Sequence, residues 1–457
     1  MPDLRRAASR SRRGSGGCSL IPLLAILLSL LLPDRALADA AEPWLRYLAR
    51  HATAVSLPHA TQPVLDALRP HRLVLMGETT HGTREHYVWR AELSKALIAD
   101  GGFRFIAVEG DWSALARLDR YVRLLDTEHG SAREVLATFD RWAQWMWANP
   151  VIEELAEWLR AWNSARPPGE RAGIHGMDVY GWGESAARLP DTLEALEPGW
   201  GARASEGLAP LLRLQGDNEA FHRAVLRGQP TGADKLGRIS ERLEGEARTL
   251  RAADADSWLQ AVQKAALITR AKQHLTKTAQ RHPRSWNPRA ENFLQTVERL
   301  LDYYGPAARG IVWAHNTHIG DARFTPMGHA GLITVGQRAR EALGDAQVFL
   351  LGLAADRGSF RAGRWWGEPG GAVLALETAL DGTMDAYLRD GAPHDAYFVP
   401  LAPARADPRL LRPADHRAIG VVHAPGGHPR RNYVPSVIPK RYDGLLFIRE
   451  TGALDAL

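Results

Sequence analysis

The chain has 457 residues, of which 45% are hydrophobic, and this is enough for one large domain with a buried core. The formal net charge is +5, but residues 1–38 hold six arginines and two acidic residues. The remainder is therefore close to neutral, which argues against nucleic-acid binding. The single cysteine, Cys18, lies in the same N-terminal segment, so residues 39–457 contain neither a disulfide nor a cysteine nucleophile.

The N-terminus has the order of features found in a secretory signal peptide. Five arginines come first, an apolar run of 13 residues extends from Leu20 to Leu32, and the small residues Ala36 and Ala38 follow. The run is too short for a membrane-spanning helix, which needs about 20 residues. We therefore predict that residues 1–38 are removed and that the protein is secreted or periplasmic, without a stable membrane anchor after cleavage.

Short apolar runs, most of them separated by amphipathic segments, are typical of buried strands that alternate with helices. They occupy residues 72–76, 103–108, 172–177, 310–314, 346–353, 396–401 and 444–448. This alternation predicts an α/β fold in which a mainly parallel sheet is flanked by helices.

One segment, from about residue 185 to residue 280, contains no strand-like run. It is rich in Ala, Leu, Arg, Glu and Gln, and its apolar residues recur at helical spacing. We predict a large helical insertion within a domain that spans residues 39–457. Because insertions on α/β sheets are often near the ligand, this one is either a solvated helical hairpin or a lid over the active site.

Polar residues suited to acid–base chemistry follow directly after four of the predicted strands. They are, in chain order, Glu78 and His81, then Glu109 and Asp111, then Asp178, and finally His315 and His318. The carboxyl ends of the strands in an open α/β sheet form one rim where ligands bind, so we expect these side chains to converge on one site.

The first of these segments, GETTHG, has a glycine at each end. Gly77 and Gly82 allow a sharp turn with the backbone close to a ligand, and the amides of the following helix could hold an oxyanion. We interpret Thr79, Thr80 and Thr83 as residues that cap this helix.

The sequence does not identify a serine nucleophile, because the G-x-S-x-G elbow of serine hydrolases is absent. The HExxH zinc motif is absent too, yet the imidazoles and carboxylates of GETTHG and HNTH suit divalent metal ions. Two alternatives therefore stay open. One is a metal-dependent hydrolase of esters or amides, and the other is a non-catalytic periplasmic protein that binds a small ligand.

Several motifs together resemble the erythromycin esterase family. They are GETTHG, FRFIAVEGDW, GIHGMDVYG, IVWAHNTHIGDA and YDGLLFIRET, and the resemblance extends through most of residues 39–457. It implies an α/β protein with a helical insertion beside the active-site cleft, which hydrolyses a small-molecule ester or lactone with water activated by a histidine. It also implies that no metal or other cofactor is needed.

The resemblance assigns roles to individual residues. The family's water-activating histidine corresponds to His81, its acidic residues to Glu78 and Glu109, its cleft arginine to Arg90, and its second histidine pair to His315 and His318. Asp111, Asn316 and Glu450 belong to matching motifs and are expected to help bind the substrate. A neutral imidazole can take a proton from water near pH 7, but the sequence does not distinguish which histidine is the base.

The substrate is less well defined than the chemistry. Pro150 and Thr334 depart from the residues common in the family, and the insertion resembles nothing in it, so macrolide specificity is not implied. The tryptophans at positions 142, 145, 147 and 158 are interpreted as core residues of an amphipathic helix, with a sugar-stacking platform as the alternative. Trp365 and Trp366 are expected in an exposed glycine-rich loop. Nothing in the sequence indicates the oligomeric state.

Overall fold

A computed structural model describes residues 34–231 and 236–457. Most of the predicted signal peptide, residues 1–33, therefore lies outside the described residues. The strands are β1 (Thr53–Ala54), β2 (Leu73–Met76), β3 (Phe103–Asp111), β4 (Gly173–Asp178), β5 (Arg309–Trp313), β6 (Val348–Ala362), β7 (Ala372–Leu376), β8 (Ala396–Pro400), β9 (Ala414–Arg417), β10 (Tyr433–Ser436) and β11 (Gly444–Thr451).

Helices surround these strands, and short 3-10 turns occur between them. The helices are α1 (Asp34–His51), α2 (Gln62–Leu68), α3 (Arg84–Gly101), α4 (Trp112–Val122), α5 (Ala132–Leu136), α6 (Pro150–Ser164), α7 (Trp182–Leu196), α8 (Trp200–Leu212), α9 (Asn218–Leu226), α10 (Leu236–Gly245), α11 (Ala247–Ala253), α12 (Ala255–Ala279), α13 (Asn287–Tyr303), α14 (Asn316–Ile319), α15 (Pro326–His329), α16 (Val335–Leu343), α17 (Met384–Gly391) and α18 (Ile438–Arg441).

The central sheet confirms the predicted α/β fold with a mainly parallel sheet. Its order is β1-β8-β11-β6-β2-β5-β3-β4, and β7 pairs with the outer part of β6. The strands from β11 to β4 in this order run parallel, whereas β8, β1 and β7 pair in the antiparallel direction. Each of the seven apolar runs found in the sequence coincides with one of these strands.

Helices on both faces of the sheet explain why the central strands read as continuous apolar runs. In β2, all four side chains are buried, and they alternate between two hydrophobic clusters. Leu73 and Leu75 pack into the cluster on one face, while Val74 and Met76 pack into the cluster on the other. The sheet core therefore fixes where β2 ends and where the polar turn after it begins.

The segment predicted as a helical insertion consists of helices α7 to α12 in its described part. The 25-residue helix α12 packs against α7, α9, α10 and α13, so the insertion rests on the helical layer at one face of the sheet. Within the ranges that the structure describes, no helix is both long and apolar enough to cross a membrane.

Candidate active site

The turn between β2 and α3 is held by close contacts to other parts of the protein. A Cβ on Gly77 would lie 1.9 Å from Oδ1 of Asn316, and a Cβ on Gly82 would lie 2.0 Å from the carbonyl oxygen of Arg361. The two glycines thus admit neighbouring protein atoms, whereas the sequence had suggested the approach of a ligand. Thr83 is at the N-cap of α3 but makes no side-chain capping hydrogen bond, so its predicted capping role is wrong.

This turn places Glu78 and His81 side by side. Nδ1 of His81 lies 2.9 Å from Oε1 of Glu78, and Nη2 of Arg90 donates to the other carboxylate oxygen at 2.6 Å. Burial alone would raise the pKa of Glu78, but Arg90 and His81 outweigh it and lower the pKa. Glu78 is therefore a carboxylate that accepts the Nδ1 proton of His81, and this leaves Nε2 as the nitrogen available to the cavity.

Arg90 lies behind Glu78 rather than in the cleft. Its side chain is fully buried, and its guanidinium packs 4.5 Å from the ring centroid of Tyr87 and 5.0 Å from that of Trp313. The prediction of a cleft arginine is therefore wrong in its placement. Arg90 reaches the site only through the carboxylate of Glu78.

Glu109, at the end of β3, connects the two histidines of the HNTH motif. Its Oε2 accepts a hydrogen bond from the backbone amide of His315 at 2.9 Å, and its Oε1 lies 3.1 Å from Nε2 of His318. Nη2 of Arg289 donates to the same Oε1 at 2.7 Å. Burial would raise the pKa of Glu109, but His318 and Arg289 hold it well below its usual range. Glu109 is therefore ionised in the site.

His315 lies against His81 but has both ring nitrogens engaged. The backbone amide of Thr317 donates to its Nδ1 at 3.3 Å, and its Nε2 lies 3.2 Å from the carbonyl oxygen of Thr79. This pattern fits a neutral ring that carries its proton on Nε2. Burial and the neighbouring His81 lower the pKa of His315 to about 3, in agreement with a neutral ring.

His318 is held between an aromatic ring and a guanidinium. It stacks on Trp286 with ring centroids 4.3 Å apart and planes inclined by 7°. Nε2 of His318 lies 3.1 Å both from Nη1 of Arg289, which can only donate, and from Oε1 of Glu109, which can only accept. Burial, together with Arg289, lowers the pKa of His318 against the opposing effect of Glu109.

Arg289, in the first turn of α13, is the residue that the sequence analysis missed. Besides Glu109 and His318 it contacts Asp178, whose carboxylate accepts from Nε at 2.9 Å and from Nη2 at 2.7 Å. Asp178 was recognised from its position after β4. Arg289 was not, because an arginine near the start of a helix is ordinary in sequence, and only the packing of α13 against β4 brings it to the rim.

A cavity of about 350 Å³ lies at the carboxyl end of the parallel strands. His81, Glu109, Asp111, His315 and His318, all predicted as site residues, border it together with Asp178 and Arg289. The convergence expected from the strand ends is thus present in the structure.

The three residues predicted to bind substrate differ in their placement. Asp111 borders the cavity and forms an ion pair with Arg141. Asn316 is fully buried, and its amide exchanges hydrogen bonds with the backbone of Leu353, so it ties the HNTH turn to β6. The side chain of Glu450 is 71% exposed on β11 and does not border the cavity. Substrate binding by Asn316 and Glu450 is therefore not supported by their positions.

The tryptophan-rich segment contributes to the cavity wall rather than to a helix. Residues 144–146 form a 3-10 turn, and α6 begins only at Pro150. Trp145 and Trp147 are buried as expected, but Trp147 also borders the cavity, as do Trp142 and, from the loop after β6, Trp366. The prediction of a continuous amphipathic helix is therefore wrong for this segment.

The helical insertion is beside the cavity but does not form a wall of it. Among the described residues that border the cavity, none belongs to residues 185–280, while Glu184 and Trp286 come from its two flanks. The insertion reaches the site indirectly, since His274 of α12 lies 3.2 Å from the hydroxyl of Tyr180. A lid formed by the insertion is thus not present in this arrangement of the described residues.

A metal site would require several ligating side chains close together. In residues 34–231 and 236–457, no group of three or more His, Cys, Asp or Glu side chains is positioned to hold a metal ion.

The fold and the site define an α/β protein with imidazoles and carboxylates at the carboxyl end of a parallel sheet. Residues 98–451 match the family model described as erythromycin esterase. Since the match covers more than half of the sequence, the chain belongs to the erythromycin esterase family, as the resemblance predicted, and is a hydrolase of that family. A small-molecule substrate follows from this membership.

Solved structures share the fold over nearly the whole chain. A Bacillus cereus protein of known structure is 17% identical with a TM-score of 0.74, and the match covers 91% of this chain and 99% of that one. A protein described as a succinoglycan biosynthesis protein is 17% identical with a TM-score of 0.72 and coverages of 92% and 99%. A histidine-to-asparagine mutant of the erythromycin esterase EreC, in its open conformation, is 15% identical with a TM-score of 0.64 and coverages of 90% and 96%.

Proposed function

We propose that this protein is an exported esterase or lactonase in which His81 activates a water molecule in the cavity. The observation that carries the proposal is the orientation of His81. Its Nδ1 is paired with Glu78 at 2.9 Å, and none of the described residues forms a hydrogen bond with its Nε2, although the side chain borders the cavity. A histidine held in this way is suited to general-base catalysis.

The choice of His81 over His315 and His318 rests on their hydrogen bonds. Both nitrogens of His315 are engaged by the HNTH and GETTHG turns. Nε2 of His318 is engaged by Arg289 and by the carboxylate of Glu109, and its Nδ1 is buried without a hydrogen-bond partner among the described residues. We therefore assign His315 to positioning His81 and His318 to positioning Glu109.

The electrostatics of the site suit a base that becomes charged during the reaction. Burial alone would lower the pKa of His81, but the carboxylates of Glu109 and Glu78 outweigh it and raise the pKa. The imidazolium formed after proton transfer is thus stabilised by two ionised groups. General-base catalysis of this kind contributes roughly 10²- to 10⁴-fold to the rate.

The reaction then proceeds by direct attack of water. As the water oxygen bonds to the carbonyl carbon, its proton moves to Nε2 of His81 and the carbonyl oxygen becomes an oxyanion. Arg289, which borders the cavity beside Glu109, supplies the positive charge that stabilises this oxyanion. When the bond between the carbonyl carbon and the leaving oxygen breaks, His81 returns the proton to the leaving alkoxide.

A mass-spectrometric screen of residues 39–457 against esters and lactones, macrolides included, tests this proposal. In H₂¹⁸O, we expect a lactone to give one product heavier by one water and an open-chain ester to give an acid and an alcohol, with ¹⁸O in the new carboxylate and none in the peptide that contains Glu109. Activity that disappears after exhaustive chelation and returns with a divalent metal would support the metal-dependent alternative. Retention of a ligand without any product would support a binding protein.

Export is proposed from the N-terminal sequence, and the packing of α1 is compatible with it. Trp44, Tyr47 and Leu48 of α1 are buried in the core, and they follow the proposed cleavage site before Asp39. The mature protein, residues 39–457, would then keep these contacts and form one domain that includes the insertion. N-terminal sequencing of protein from the natural host should begin at Asp39, and an intact Met1 or a lipid on Cys18 would contradict export by cleavage.

A further inference from the structure

Among the aromatic side chains that border the same cavity as His81, three form a connected group and have no part in the proposed reaction. They are Trp142, Tyr180 and Trp366, which we call the aromatic corner. The ring centroids of Trp142 and Trp366 are 4.7 Å apart with planes inclined at 57°, and those of Tyr180 and Trp366 are 6.0 Å apart at 61°. The rings are thus inclined walls rather than a parallel stack.

Two rings of the corner have their polar atoms engaged within the protein. Nε1 of Trp142 donates to the carbonyl oxygen of Glu368 at 2.8 Å, and the hydroxyl of Tyr180 lies 3.2 Å from Nε2 of His274. These two rings therefore offer the cavity chiefly their apolar surfaces. Trp366 is 57% exposed, so part of its ring is free to contact a ligand in the cavity.

The corner also adjoins the reacting centre. The guanidinium carbon of Arg289 lies 5.2 Å from the ring centroid of Tyr180, and the same arginine contacts Glu109 and His318. A ligand group seated in the corner would therefore be part of the molecule whose ester bond lies at His81.

We propose that the aromatic corner binds an aromatic ring of the ester substrate, so that the enzyme prefers aryl-bearing esters. The inference rests on the proposed esterase function and adds the substrate class. Inclined walls let one ring stack on the incoming ring while another meets its edge, and both arrangements are favourable for aromatic pairs. Trp142 and Tyr180 have no free polar atom for the hydroxyl groups of a sugar ring, because theirs are already engaged within the protein.

The charges around the cavity restrict the substrate further. Five carboxylates border the cavity, against only two guanidiniums, those of Arg141 and Arg289. A like-charged ligand is disfavoured at such a surface. The aromatic ester should therefore be neutral or cationic, and the carboxylate product is repelled once it forms.

Hydrolysis of two matched esters tests the proposal. Ethyl phenylacetate and ethyl cyclohexylacetate differ only in the aromaticity of the ring. We expect Trp366→Ala to lower kcat/KM for the phenyl ester by about 10-fold, as for the loss of a stacked aromatic pair, and to affect the cyclohexyl ester much less. Trp366→Phe should restore most of the loss. Trp365→Ala is the matched control, because Trp365 is 56% exposed and does not border the cavity.

Binding without turnover separates this proposal from the esterase proposal. Ligand-observed NMR of 2-phenylethanol and 2-cyclohexylethanol needs no hydrolysis, and we expect wild-type protein to bind the phenyl compound more tightly and Trp366→Ala to remove the difference. If no ester is hydrolysed but this preference is found, the esterase proposal fails, whereas the binding of aromatic rings by the aromatic corner is supported. Equal binding of both alcohols, or tighter binding of methyl β-D-glucoside, would overturn the aromatic preference.

Discussion

The rings of His81 and His315 lie against each other, with centroids 4.9 Å apart, and their pKa values are shifted in opposite directions. Burial lowers the pKa of His315 to about 3, and the positive charge of His81 adds to this effect. The pKa of His81 is raised, because Glu109 and Glu78 overcome the effect of burial. Two adjacent histidines thereby take different roles, a neutral neighbour and a titrating base.

The activity should depend on pH through His81. Only neutral His81 can act as the base, so kcat/KM should fall as the pH falls through a midpoint above 6.5, the ordinary pKa of histidine. Glu78→Gln removes a charge and an acceptor that raise this pKa, so the midpoint should move to lower pH while kcat decreases. Glu184→Gln changes another carboxylate of the cavity wall and should leave the midpoint in place. An unchanged midpoint in Glu78→Gln would show that Glu78 does not influence the pKa of the catalytic base.

Arg289 should be essential to stability. Arg289→Met leaves the buried carboxylates of Glu109 and Asp178 without their guanidinium, and we expect the free energy of unfolding to fall by about 3–5 kcal/mol. Adding Asp178→Asn should recover part of the loss. Arg133→Met breaks only a surface pair with Glu153 and should cost less than about 1 kcal/mol in the same urea titration. Similar losses for the two arginines would contradict a buried charge network.

Buried neutral histidines should make the fold sensitive to acid. The pKa values of His86 and His315 are lowered to about 3 and that of His175 to about 4, in each case mainly by burial. The unfolded chain binds these protons below about pH 6.5 and the folded chain does not, so stability should decrease as the pH falls from 6.5 to 4.

The contribution of one histidine to this acid sensitivity can be isolated. His86→Phe removes one titrating group, so the slope of the unfolding free energy against pH should decrease by up to about 1.4 kcal/mol per pH unit. If the unfolding free energy has the same slope against pH in wild type and His86→Phe between pH 4 and 6.5, His86 is protonated in the folded protein as well.

The GETTHG turn should tolerate no side chain at its second glycine. Gly82→Ala would put a methyl group 2.0 Å from the carbonyl oxygen of Arg361, a backbone atom that cannot rotate away. The turn must therefore shift, and we expect kcat to fall at least about 10-fold, because misplacement by about 1 Å is costly in catalysis. Gly169→Ala, where the methyl group meets nothing within 4 Å, is the control. Wild-type kcat in Gly82→Ala would mean that the position of His81 is not critical.

Much of the fold could be predicted because its central strands are buried on both faces. That burial requires unbroken apolar runs, which are visible in the sequence without any partner. β9 and β10 were missed because both are short, ADHR is largely polar and YVPS contains a proline, and the two pair with each other outside the central sheet. β7 was missed although its sequence AVLAL is an apolar run; it forms a hairpin with β6, and its side chains are alternately half-buried and exposed rather than buried on both faces.

The site could be predicted only in part, because the sequence does not show in which direction a long side chain extends. Residues at strand ends were found because the sheet determines where they lie. Arg90 matched a family position, but its long side chain turns behind Glu78. Arg289 reaches the same rim from helix α13, and Asn316 turns towards β6, and neither direction is encoded in local sequence spacing.

The most direct test of the account is the turnover of His81→Ala on an ester identified by the screen. Loss of the base should lower kcat by at least about 10²-fold, while substrate binding and the circular dichroism spectrum stay close to those of the wild type. His81→Gln preserves more of the side-chain volume and should show the same loss, which guards against an effect of packing. A folded His81 variant that binds the substrate and turns it over at the wild-type rate would contradict the account.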